Sequence, residues 1–73
     1  MRKYNVEYSA GEARQGNGSV DYMLVEIDGI ELYAEATPDP EDETATYDGL
    51  KAEIIRQAEK NGISTEALSF LYD

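Results

Sequence analysis

Carboxylate side chains are the residues of this chain with the widest chemical range, and most of them fall in one stretch. Between residues 15 and 50 there are ten Asp and Glu residues and no Lys or Arg. Dense carboxylates could bind a metal ion, share a proton in acid–base catalysis, or attract a positively charged partner. The same stretch contains Tyr22 and Tyr33, and tyrosine rings accept cations on their faces.

The spacing of these acids argues against a metal site and against catalysis. A calcium loop needs Asp at alternate positions, then a glycine, and a Glu at its twelfth position; residues 39–48 do not follow that order. The chain has no Cys and no His, which removes thiolate ligands and the commonest general base. Gly16-Asn17-Gly18 lacks the Lys of a phosphate loop. We therefore expect no enzymatic activity, no metal and no cofactor.

The length and charge of the chain favour a binding function. Seventy-three residues form one domain, residues 1–73, too small for a core and a deep active-site cavity together. The net charge of −10 disfavours direct binding to nucleic acid or to anionic membranes. No apolar run is long enough to span a membrane, and the N-terminal residues lack a signal-peptide core. We therefore expect a cytoplasmic protein.

Alternation of apolar and polar residues predicts strands at residues 4–9, 20–28 and 30–36. Asp28-Gly29 is a favoured two-residue hairpin turn. This turn sets a register with one wholly apolar face, formed by Met23, Val25, Ile27, Ile30, Leu32 and Ala34. Residues 10–19 contain three glycines without periodicity and predict a mobile loop, in which Arg14 has no identifiable partner.

A helix is predicted at residues 46–61 from an apolar stripe at spacings of three and four: Tyr47, Leu50, Ile54 and Ala58. Asn61-Gly62 predicts its end. Ser64 or Thr65 begins a last short helix that would place three side chains on the core: Leu68, Phe70 and Leu71. This segment has no basic residue with which to contact DNA. The fold class is thus predicted as α+β: a three-stranded antiparallel β-meander with one long helix packed on one face and a short C-terminal helix.

The other face of the predicted hairpin is acidic and aromatic. The same register opposes Glu26 to Glu31, and like charges so opposed destabilise a strand pair. It also exposes Tyr22, Leu24 and Tyr33, and such a patch needs a partner or a cover. Ordinary solvation of charged strand residues is the competing interpretation.

The predicted partner-binding residues come from this hairpin and from an acidic connector at residues 37–46 with its following helix. They are Tyr22, Glu26, Asp28, Glu31, Tyr33, Glu35, Asp39, Glu41, Asp42, Glu43 and Asp48. Because carboxylates accept paired donors from arginine, the predicted partner is a positively charged protein surface. The connector acids either extend this surface or only favour a helix start.

In residues 21–48, and in the strand pair VDYMLVEID-GIELYAEA, the chain resembles the small acidic proteins that phages and mobile elements encode against host defence, especially anti-CRISPR proteins. The resemblance covers the composition of the whole chain and includes no family signature motif. It implies a phage-encoded viral protein, active in the host cytoplasm, that inhibits a CRISPR–Cas effector as a DNA mimic. The alternative is an acidic interaction module or homodimeric accessory protein without mimicry; monomer and homodimer both stay open.

Overall fold

The computed structural model describes residues 2–14, 16 and 18–72. Met1, Gln15, Asn17 and Asp73 lie outside the described residues, so part of the mobile loop predicted at residues 10–19 lies outside them. Its elements are β1 (Tyr4–Asn5), β2 (Glu7–Glu12), β3 (Ser19–Ile27), β4 (Ile30–Ala36), α1 (Glu43–Lys60) and β5 (Leu68–Ser69). The order β2-β3-β4 makes a three-stranded antiparallel sheet, and β1 pairs in parallel with β5. The predicted α+β class is confirmed.

The β3–β4 hairpin has the predicted turn and register. Asp28 and Gly29 have φ values of 50° and 84°, the left-handed pair that a tight two-residue turn requires. Ile27 pairs with Ile30, and the pairing continues in step to Asp21 and Ala36. One face of the hairpin is therefore apolar from the Met23–Ala34 pair to the turn.

The connection between β2 and β3 is shorter than predicted. β2 continues to Glu12 and β3 begins at Ser19, so only residues 13–18 form the loop. The predicted loop at residues 10–19 was wrong at residues 10–12 and 19, because pairing of β2 with β3 supplies backbone hydrogen bonds that side-chain periodicity does not signal. The predicted first strand is interrupted at Val6, whose N–H donates to the Ser69 carbonyl at 2.9 Å.

Helix α1 begins three residues earlier than predicted and ends at Lys60, one residue before the predicted end, with the predicted stop at Asn61-Gly62. The Asp42 side chain caps it by accepting the Ala45 N–H at 3.0 Å. At the other end Gly62 has a φ of 72°, and the Ile63 N–H donates to the Ala58 carbonyl at 2.8 Å. This pattern is a Schellman motif, which ends the helix and turns the chain back.

The predicted short C-terminal helix is a three-residue 3-10 turn, Thr65–Ala67, capped by Ser64 and followed by β5. Leu68 and Phe70 are buried as predicted. Leu71, predicted to lie on the core, is 60% exposed, so that expectation was wrong. In an extended segment, residues two apart share a face. Leu68 and Phe70 therefore point into the core, and their neighbours point away from it.

The core lies between α1 and the inner face of the sheet, which is the face bearing Met23 and Leu32. These two side chains and Ile54 of α1 are each less than 2% exposed. Among the described residues, no helix packs against the opposite face of the sheet, here called the outer face. The side chains on that face lie outside the core cluster.

Candidate interaction surface on the outer face of the sheet

The outer face carries four carboxylates around two tyrosines and a leucine. Cross-strand pairs place Tyr22 opposite Glu35, Leu24 opposite Tyr33, and Glu26 opposite Glu31. Strand β2 adds Glu7, which pairs with Leu24. The members of this surface are Glu7, Tyr22, Leu24, Glu26, Glu31, Tyr33 and Glu35. Glu7 was missed from the sequence, although inward-facing Val6 and Tyr8 already implied that it points outward.

The two tyrosines form the centre of the outer face. Their rings stack with centroids 5.9 Å apart and planes 27° apart. Tyr22 lies over Gly11, where an added Cβ would come within 3.3 Å of its ring. The Tyr22 hydroxyl donates to Glu7 Oε2 at 2.8 Å, and that hydrogen bond raises the pKa of the Tyr22 phenol. The stacked rings pack against each other, and both side chains are only half-buried.

Arg14 lies on this face, contrary to the expectation of a cation without a partner. Its guanidinium carbon is 3.7 Å from the centre of the Tyr33 ring, and its Nη1 forms an ion pair with Glu31 Oε1. Its backbone N–H donates to Glu35 Oε1 at 3.0 Å. The hydrogen bond to Glu31 raises the pKa of the guanidinium, and burial is the main cause of the raised pKa of the Tyr33 phenol. Folding therefore places a cation, Arg14, beside the stretch of sequence that contains no Lys or Arg.

Three carboxylates lie at the end of the outer face that is nearest the hairpin turn. Glu26 and Glu31 are directly opposed and exposed, as predicted, and Asp28 is exposed at the turn itself. Of these three, Glu31 is the one paired with Arg14. This end of the outer face thus presents two carboxylates, those of Glu26 and Asp28, in addition to the ion pair.

The acidic connector lies on the other side of the sheet. Pro38, Asp39 and Glu43 line a groove together with Tyr8 and Asp21. Tyr8 pairs with Met23 in the strand register and so belongs to the inner side. The Tyr8 hydroxyl donates to Asp21 Oδ2 at 3.3 Å, and burial, then the charge of Asp21, raises the pKa of that phenol. The predicted acids therefore form two surfaces separated by the sheet.

Two of the connector acids also accept hydrogen bonds from the backbone and so stabilise its local conformation. Asp42 caps α1, and Asp39 Oδ1 accepts the Glu41 N–H at 2.9 Å. The Asp39 N–H donates to the buried hydroxyl of Thr46 at 3.1 Å. Glu41, Glu43 and Asp48 are exposed beside them. The connector residues that remain available to a partner are mainly these last three.

Within the described parts of the chain, no group of three or more acidic side chains is arranged to hold a metal ion. No helix among those residues has both the length and the apolar character needed to cross a membrane.

Comparison of the chain with protein-family models, with curated proteins and with solved structures finds no match.

Proposed function

We propose that the protein is a non-enzymatic inhibitor that binds a Lys/Arg-rich, nucleic-acid-binding surface of a host defence complex through its outer face. An anti-CRISPR role, with a CRISPR–Cas effector as partner, is the specific form of this proposal. The observation that carries it is the guanidinium of Arg14 held between Tyr33 and Glu31. The outer face can thus accommodate the type of side chain that such a partner would present.

Charge supports the same proposal. Four carboxylates, those of Glu7, Glu26, Glu31 and Glu35, share a face with one guanidinium, and the whole chain has a net charge of −10. A protein groove lined with Lys and Arg attracts such a surface at long range and speeds association. Occupation of that groove would exclude nucleic acid by direct competition.

The test is displacement of DNA from a purified effector. Guide-loaded CRISPR effectors, single-subunit and multi-subunit, are mixed with a fluorescent target duplex, and its anisotropy is followed as the protein is added. We expect displacement at physiological ionic strength and a steep loss of inhibition at high salt, because exposed charges are then screened. Absence of displacement from every effector would contradict the anti-CRISPR role.

Three charge-matched variants identify the surface in contact. The first replaces Glu26, Glu31 and Glu35 with Gln on the outer face. The second neutralises Glu41, Glu43 and Asp48 at the connector. The third replaces Glu12, Glu59 and Glu66 with Gln, none of which is a member of either surface. All three remove the same charge, so we expect only the first to abolish displacement while remaining folded. Equal losses in all three would point to net charge alone.

A homodimeric interaction module is the second candidate. Leu24, Tyr22 and Tyr33 remain only half-buried on the outer face, which leaves apolar area for another subunit. In that case Tyr33→Ser should convert a dimer to a monomer in sedimentation experiments, and association should depend little on salt. A monomer at high protein concentration would rule this candidate out.

A further inference from the structure

Arg14 occupies the place on the outer face that a partner's cation would take. Its guanidinium stacks on Tyr33 and pairs with Glu31, while its own backbone N–H is bonded to Glu35. These contacts cover one face of the Tyr33 ring and one carboxylate that the proposed function assigns to binding. A partner's cation therefore cannot reach this part of the surface while Arg14 stays in place.

We propose, resting on the function proposed above, that the partner presents an arginine side chain that displaces Arg14 from Tyr33 and Glu31. Arg14 then acts as an internal competitor for the binding surface. Arg14 lowers the affinity for the partner. Binding is then limited to surfaces whose guanidinium binds Tyr33 and Glu31 more tightly than Arg14 does.

The geometry favours arginine over lysine in the partner. A guanidinium is planar, so it stacks on a tyrosine ring and still directs N–H groups at a neighbouring carboxylate. A separation of 3.7 Å between the guanidinium carbon and the Tyr33 ring centre is a stacking distance. A lysine ammonium is more strongly hydrated and has no plane to stack, so it would recover only part of this interaction.

The solvent exposure of the ion pair favours release of the Arg14 side chain. The side chains of Arg14 and Glu31 are 48% and 46% exposed, so their ion pair competes with water and salt. Release therefore requires only that the exposed side chain rotates away from Tyr33 and Glu31, while the hydrogen bond from the Arg14 backbone N–H to Glu35 stays in place.

The test compares Arg14→Ala with Arg2→Ala, using oligo-arginine and oligo-lysine peptides of equal length as probes. Both substitutions remove one guanidinium that lies over a tyrosine ring, and the ring under Arg2 is that of Tyr4 in β1, which is not a strand of the three-stranded sheet. We expect wild type to prefer oligo-arginine and Arg14→Ala to bind it about three- to tenfold more tightly. Arg2→Ala should change the affinity much less. Equal gains from the two variants would overturn the proposal, because net charge alone would explain them.

A second measurement follows Arg14 directly in the wild-type protein. In an NMR titration with oligo-arginine, the Arg14 side-chain N–H signal should lose the shift caused by the Tyr33 ring, because the ring current no longer acts on it. An unmoved signal at saturation would show that Arg14 stays in place and would overturn the proposal. If neither peptides nor effectors bind any variant, the proposed function itself fails.

Discussion

The side-chain amide of Gln57 replaces a neighbouring strand at the edge of β4, beside Tyr33. Gln57 Oε1 accepts the Tyr33 backbone N–H at 3.0 Å, and Gln57 Nε2 donates to the Tyr33 carbonyl at 2.8 Å. Alternate residues of an edge strand turn both backbone groups outward, where they invite pairing with another chain. Helix α1 thus closes the middle of an edge that would otherwise be open.

Gln57→Ala should expose this edge. We expect the free energy of unfolding to fall by about 1–2 kcal/mol, because the half-buried Tyr33 backbone groups lose both partners. We also expect concentration-dependent association in sedimentation velocity experiments, since β4 could then pair with a second copy. Glu59→Ala, on the exposed side of the same helix, is the control and should do neither. A variant that stays monomeric and equally stable would show that Gln57 does not protect the edge of β4 from pairing with another chain.

Tyr47→Phe should stabilise the protein. The Tyr47 side chain is 9% exposed, and its hydroxyl has no hydrogen-bond partner among the described residues. Its removal relieves the desolvation of an unpaired polar group, so chemical denaturation should give a free energy of unfolding higher by about 1 kcal/mol. The control is Tyr8→Phe, which removes a hydroxyl bonded to Asp21 and should not stabilise. Destabilisation by Tyr47→Phe would mean that the hydroxyl is in fact paired.

Replacement of two different glycines with alanine should change the stability of the protein in opposite directions. Gly49 lies within α1, and a Cβ there would meet nothing within 4 Å, so Gly49→Ala should raise stability by about 0.5–1 kcal/mol. Gly62 has a φ of 72° at the helix end, where alanine is strained, so Gly62→Ala should lower stability by about 1 kcal/mol. Urea denaturation measures both. Effects of the same sign would contradict the assigned backbone conformations.

The carboxylate of Glu53 should make stability depend on acidic pH. It accepts hydrogen bonds from Arg56 and Gln57, which lower its pKa from 4.5 to about 2. A lowered folded-state pKa gives stability that is complete above 4.5 and is lost as the pH falls towards about 2. The effect should be small, because the pair is exposed to solvent.

The measurement for Glu53 is the free energy of unfolding of wild type and Glu53→Gln between pH 2 and pH 6. Their difference should be constant at the upper end and should shrink through the acid range. Glu59→Gln, which lies on the same helix, is the control for general charge effects. A difference between wild type and Glu53→Gln that does not change with pH would contradict the lowered pKa.

Much of the fold followed from local sequence, and the candidate surface followed only in part. The register of β3 with β4 was predictable because Asp28-Gly29 permits one tight turn, and the alignment it sets gathers Met23, Val25, Ile27, Leu32 and Ala34 on one face. The opposed pair Glu26 and Glu31 was predictable from that register. Gln57 gave no signal, since its role depends on α1 lying beside β4. The β1–β5 pairing joins segments more than sixty residues apart in the chain.

The sequence by itself determined the hairpin, the helix with its Gly62 stop, and the large excess of negative charge, because each depends on neighbouring residues or on composition. The tertiary structure alone decided where that charge lies. It placed the connector acids on the inner side of the sheet, away from Glu26 and Glu31, and brought Arg14 onto Tyr33. The physical reason is that folding sets distances in space through the sheet and its loops, and charges far apart along a chain interact only through those distances.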